Sequence, residues 1–198
     1  MNRLIVAAVV LLPVAAAAAP RSEDLTGTVA SGLRKKVELV YVEKAPGKFP
    51  PPAQPAVMNQ IKNTYVPRLL PVLVGTSIAF QSEDPELHNV FGRADKKVLF
   101  NQGIPPKASA TVKMGEPGVV KLSCNIHREM VAFIPVLQNP YFTQPDPKTG
   151  TFTIKGVPPG SYTLRLWGEK LTDEEKARAY PVTVGGSKAT PNPELASR

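Results

Sequence analysis

The stretch Cys124-Asn125-Ile126-His127-Arg128-Glu129-Met130 decides how this chain is read. It holds the only cysteine of the 198 residues, one of two histidines and one of four methionines. The second histidine, His88, stands upstream in Leu87-His88-Asn89-Val90-Phe91. A thiolate, two imidazoles and a thioether are the donor set of a trigonal His₂Cys copper site with a long axial methionine. If Cys124 ends a strand, His127 and Met130 sit on the turn beyond it. Two short loops can then fold both side chains back onto one point. Taken singly, these residues have blander readings. A lone cysteine is usually a buried thiol, and a methionine fills gaps in a core. Met58 and Met114, in strand contexts, are expected to do just that. Glu129 is the nearest alternative ligand, but a hard carboxylate suits a soft site poorly. A Cys-His-His set also holds Zn²⁺, although the thioether favours copper.

The residues around this run carry a family resemblance. Tyr65-Val66-Pro67, then Leu70, Val72, Val74 and Gly75, are similar to the aromatic-x-Pro strand and glycine turn of the cupredoxins. Ile78-Ala79-Phe80 leads to His88-Asn89-Val90, which resembles that family's first-histidine motif. Glu116-Pro117-Gly118 and the strand into Cys124 resemble its Pro-Gly turn, and Cys-x2-His-x2-Met is similar to the ligand loop of amicyanin. The resemblance covers residues 56–137. It implies one mononuclear type 1 copper, with His88, Cys124 and His127 as equatorial ligands and Met130 as the axial one. It further implies that Asn89 ties the two ligand loops together. Ile126 stands where the family often has proline, and Ser123 where it often has an aromatic residue.

The first segment reads as a secretory signal peptide, residues 1–19. Arg3 gives the positive region, Leu4 to Val14 the apolar one, and Ala15 to Ala19 the small-residue cleavage zone. The mature chain is then exported and soluble, most simply periplasmic. A single cysteine allows no internal disulfide, and in an exported protein a metal gives that thiol a reason to persist. The net charge is +8, and the leader holds only Arg3 of the basic residues. A basic surface favours acidic partners. The charges are scattered, without a basic helix or aromatic interleaving, which argues against nucleic acid.

Along the chain, Leu25–Val29 and Val37–Val42 read as strands, and Pro46–Pro55, with five prolines, as a linker. Residues 56–139 read as short strands and turns with no helical period. Beyond them Phe152, Ile154, Tyr162 and Leu164 alternate with polar residues as a half-buried hairpin does. Thr172 and Glu175 form a capping box for one short helix, and residues 186–198 read as a disordered tail. Gly150, Phe152, Ile154, Gly156, Pro158, Gly160, Tyr162 and Leu164 resemble the signature of the carboxypeptidase regulatory-like domain, a transthyretin-type β-sandwich. Gly27-Thr28-Val29 and Val37–Val42 fit its opening strands. The fold class is therefore all-β, a cupredoxin-like Greek-key sandwich or barrel plus a small transthyretin-like sandwich. The second sandwich is discontinuous, residues 24–45 and 140–185, with the copper module inserted between. Alternatively, residues 24–44 extend the copper module. Trp167 is expected in the core of the second sandwich, and Glu83-Asp84 and Glu174-Glu175 on solvated faces.

These readings point to a periplasmic electron carrier, not an enzyme. Two histidines are too few for a second, catalytic copper, and four protein ligands leave no open position. The resemblance puts the edge of His127, with Arg128 and Leu69-Leu70-Pro71, at the rim that meets an acidic redox protein, such as a cytochrome c. Two other readings stand beside it: a copper carrier or sensor, and an interaction module with secondary copper binding.

Overall fold

The computed structural model describes residues 21–185 and 194–195. The expected leader, residues 1–19, lies outside the described residues, as does the expected tail except for Glu194–Leu195. The first elements are β1 (Glu23–Val29), a one-turn α1 (Ser31–Arg34) and β2 (Leu39–Val42). Next come β3 (Ala56–Ile61), β4 (Thr64–Val66), β5 (Val72–Leu73), β6 (Ser77–Ser82) and β7 (His88–Ala94). They are followed by β8 (Lys97–Ile104), β9 (Ser109–Lys113), β10 (Gly118–Ser123) and β11 (Val131–Leu137). The chain ends with β12 (Phe142–Thr143), β13 (Thr151–Val157), β14 (Gly160–Trp167), α2 (Asp173–Ala177), β15 (Tyr180–Val184) and β16 (Glu194–Leu195). The architecture is all-β.

Strands β3 to β11 form two sheets, ordered β4-β3-β6-β9 and β5-β11-β10-β7-β8. Alternate residues of each strand turn inward, as a period of two requires. Met58, Ile78, Phe80, Val90, Leu122 and Ile134 fill the core between them. The other strands form two further sheets, β13-β1-β16 and β12-β2-β14-β15. Leu25, Val40, Ile154, Leu164 and Leu166 pack between those two. Thus β1 and β2 pair with strands beyond residue 139, and none of their ladder partners lies in 56–137 among the described residues.

The apolar run of β11 has a cause in this layout. Ala132, Ile134 and Val136 face the first core. Phe133 and Leu137 face outward, yet meet Leu39 and Trp167 in a third cluster shared by both sandwiches. A strand covered on both faces has no reason to alternate. The crossings between sandwiches are fastened too. Ala45 and Gln138 exchange hydrogen bonds, Ala45 N–H to Oε1 at 3.2 Å and Gln138 Nε2 to the Ala45 carbonyl at 3.3 Å. Buried Asn139 donates to the Val42 carbonyl at 2.9 Å.

Three expectations change. Trp167 packs on Phe133, ring centroids 5.0 Å apart, and so belongs to the shared cluster rather than to the second core. The expected strand from Val37 begins at Leu39, because α1 ends just before it and Val37 N–H bonds back to the Leu33 carbonyl. The tail also carries a strand. Glu194–Leu195 pairs in parallel with Thr28–Val29, and Leu195 is buried in the second core. Helix α2 has the predicted capping box: Glu175 N–H donates to Thr172 Oγ1, and Thr172 N–H to the Glu175 carboxylate.

Candidate metal centre

Two strand ends converge at one end of the first sandwich. His88 opens β7, and Cys124 follows directly on β10, whose residue Ser123 lies opposite Phe91 of β7. The turn from Asn125 to Glu129 then brings His127 back over the cysteine, closed by Met130 N–H on the His127 carbonyl at 3.1 Å. Ligand atoms of His88, Cys124 and His127 all lie within 4.8 Å of one another. His88 Nδ1 and His127 Nδ1 stand 3.1 Å apart, and Cys124 Sγ is 4.0 Å from His127 Nδ1. The two imidazoles and the thiol therefore converge on one point, as the sequence predicts. Met130 is fully buried in the same apolar core as Cys124. The other two core methionines, Met58 and Met114, are buried as expected.

The remaining ring nitrogens face carboxylates. His88 Nε2 is 2.8 Å from Asp84 Oδ2, and His127 Nε2 is 3.1 Å from Glu86 Oε2. Each pairing fixes which nitrogen is free to bind, since a ring nitrogen held by a carboxylate leaves its partner for a metal. The environments differ: the His88 side chain is wholly buried, while that of His127 keeps 17% exposure beside a largely solvent-exposed Glu86. Asp84 also accepts from the backbone N–H of Lys62 at 2.6 Å and of Asn63 at 3.0 Å. Burial by itself would raise its carboxyl pKa. The donors at Asn63, Lys62 and His88 outweigh that and hold it below the usual value. Asp84 is thus not on a solvated face; it is 7% exposed and bonded to the site.

The loops are held by two further side chains. Asn89 Oδ1 accepts from Asn125 N–H at 2.9 Å, joining the histidine strand to the cysteine turn as the resemblance implies. Its amide also donates to Asn101. Tyr65 Oη is within bonding distance of the carbonyls of Asn89, at 3.0 Å, and Ser123, at 3.1 Å. Burial, and then the nearby Cys124, push its hydroxyl pKa up, so it stays a neutral donor. Sequence reasoning missed Asp84, Glu86 and the bridging role of Tyr65. The one local signal was a carboxylate on a proline turn four residues before His88.

Residues 69–71 of the expected rim are half-buried. Leu69 bridges to Phe133 and packs in the shared cluster, and Leu70 packs on the first core. The apolar side chains exposed beside the ligands are Leu87 and Ile126, at 52% and 50%.

Comparison with known proteins gives two partial likenesses. Residues 131–191 match the family model for polysaccharide lyase family 4, domain II. A purple cupredoxin from Nitrosopumilus maritimus is 25% identical, over 41% of this chain and 98% of that one, with a TM-score of 0.38. Amicyanin from Paracoccus versutus is 17% identical, over 43% and 83%, with a TM-score of 0.39. A copper-containing nitrite reductase from Thermus scotoductus is 19% identical, over 49% and 25%, with a TM-score of 0.41. No curated protein matches the chain.

Proposed function

We propose that this protein is an exported electron carrier with one type 1 copper held by His88, Cys124, His127 and Met130. The observation that carries this reading is the donor set itself. Two Nδ1 atoms and a thiol converge within 4.8 Å, and each Nε2 is already committed to a carboxylate. Copper bound there would supply a one-electron couple between Cu(I) and Cu(II). The chain's own part is to keep the ligands in place in both states. Asp84 holds His88 against the β3–β4 turn, and Asn89 and Tyr65 hold the cysteine turn against β7. A site that does not rearrange on electron transfer is a fast one, and hydrogen bonding around the ligands tunes its potential.

Met130 would be the fourth residue to hold the copper, from the buried side of the turn. His127 is the ligand nearest solvent and the electron's exit, with Leu87 and Ile126 as its apolar margin. A periplasmic location follows from the leader and the lone cysteine. Four protein ligands would leave no open position on the copper, so this reading assigns it electron transfer rather than catalysis. The second sandwich is a carboxypeptidase regulatory-like unit on the strength of its Gly150-to-Leu164 signature.

The test is the visible and EPR spectrum of the mature protein titrated with Cu(II), beside Cys124→Ser. An intense charge-transfer band with narrow copper hyperfine splitting, absent from the variant, is expected. Faint colour with ordinary copper EPR in the wild type would overturn the type 1 assignment and leave metal carriage or partner binding as the role.

A further inference from the structure

A cleft of about 890 Å³ opens between the two sandwiches. Its floor is the outer face of β7, β10 and β11, and its far wall comes from Trp167 and the segment that follows. On the floor, Arg93 lies directly opposite Lys121, and Lys121 directly opposite Phe133. Paired residues in a ladder share a face, so these three side chains form one row across the sheet. Two cations directly opposed in a ladder repel each other and destabilise it.

The fold does little to relieve that repulsion. Lys121 lies 5.9 Å from the Phe133 ring centroid. Arg93 has no ion pair among the described residues, nor has Arg128, which lines the cleft at the metal-loop end. All three cations are exposed. Of the acids on the far wall, Glu169 pairs with Arg68, and the exposed Asp173 stands 4.0 Å from Lys176, a fourth cation of the lining. Asp95, on the β7–β8 turn, is the one cleft acid without a cation partner among the described residues. The cleft thus gathers positive charge that the folded chain does not neutralise.

From this we infer that the cleft is a docking site for an acidic segment of a partner protein. The segment would lie across the Arg93–Lys121 row and reach Arg128. Carboxylates there would relieve the opposed cations, while Phe133 and Trp167, both buried in the shared cluster, close that end of the cleft. The position explains why such a surface is useful. Ser123 and Arg128 line the cleft and are chain neighbours of Cys124 and His127, so a docked partner sits beside the metal loop. That the partner exchanges electrons rests on the proposed electron-carrier function; that an acidic segment binds does not.

Trp167 is the only tryptophan in the chain and lines the cleft, so its fluorescence reports occupancy. The experiment titrates the full mature protein with a hexaglutamate peptide at low ionic strength, with and without one equivalent of Cu(II). A saturable change in emission is expected in both forms, and it should weaken as salt rises. Arg93→Glu with Lys121→Glu should weaken binding by about tenfold or more, and the milder Arg93→Gln with Lys121→Gln should fall between. Lys48→Glu, an exposed reversal away from the cleft lining, should leave affinity unchanged. Near-UV circular dichroism checks that each variant is folded. Absence of saturation, equal weakening by Lys48→Glu, or insensitivity of a folded Gln variant would overturn the inference. So would tight binding of a sulfated oligosaccharide with none of hexaglutamate, which would assign the cleft to a glycan. If peptide binding persists while the copper sample lacks a charge-transfer band, the electron-carrier reading fails and the docking site stands.

Discussion

Between β3 and β11 the apolar core encloses Gln60, Thr76, Ser82, Asp84 and His88. The neighbouring core, from Leu25 to Leu195, is apolar apart from the hydroxyl of Tyr162, which is bonded to the Pro158 carbonyl at 2.9 Å. Both sandwiches are built from the same aliphatic and aromatic residues on alternating strands. They differ in what those residues must accommodate. The first holds a polar site whose parts have to be satisfied in place, and Thr76 Oγ1 and Ser82 Oγ are left without a partner among the described residues. The second has no such task. The first core thus carries buried polar groups beside the His88–Cys124–His127 cluster, and the second is apolar almost throughout.

The contrast is broken most strongly in the second core. Leu164 is fully buried there, and Leu164→Ala should cost about 2–5 kcal/mol in chemical denaturation, while the charge-transfer band of copper-loaded protein stays in place. A change in that band would show that the two cores are not separable.

In the first core the corresponding experiment is Asp84→Ala. It leaves three donors of the buried site, at Lys62, Asn63 and His88, without their acceptor. A stability loss of about 1–3 kcal/mol is expected. Copper affinity, read by competition with a chelator, should drop about 10- to 100-fold, because His88 is no longer held. Unchanged affinity would mean that β7 alone orients that ring.

Thr76→Val sharpens the comparison in the opposite direction. Replacing an unpartnered buried hydroxyl by a methyl of similar shape should raise stability by about 1 kcal/mol. A loss would show that the hydroxyl is satisfied in solution.

The smallest effect is that of acid on the second sandwich. Asp24 is held below its usual pKa by Lys155 and Gly156, Asp146 by the backbone N–H of Thr149 and Lys148, and Glu175 by Lys36 and then Thr172. A depressed carboxyl stabilises the fold above its unfolded value and loses that contribution as pH falls through the folded one. The ordinary values are 3.8 for Asp146 and 4.5 for Glu175, so the weakening should begin below about pH 4.5. Trp167 emission during acid titration checks it. In Asp146→Asn, which has no carboxylate to protonate at that turn, the onset should stay where Glu175 sets it while the decline below about pH 4 becomes less steep.

Much of this was legible in the chain because it is local. The spacing Cys-x2-His-x2-Met is a local signal, since a turn of that length can fold side chains together only over a few residues. Alternation in β13 and β14 revealed the hairpin, and Thr172 with Glu175 revealed the helix start. The misreadings share one cause. Asp84 looked like a solvated turn residue until the β3–β4 turn closed over it, and Trp167 looked like ordinary core until Phe133 met it from another sandwich. Leu195 sat in a tail whose composition gave no hint of the edge of β1 waiting to pair with it.

By itself, then, the sequence determined the donor set, the all-β character and the strand periods, because residue chemistry and backbone geometry act over a few positions. The tertiary structure decided which carboxylate faces which imidazole, that Tyr65 Oη approaches a carbonyl in each ligand loop, and that Arg93 and Lys121 line a shared cleft. Those are meetings between residues far apart in the chain. They follow from strand order and register, which no local pattern encodes.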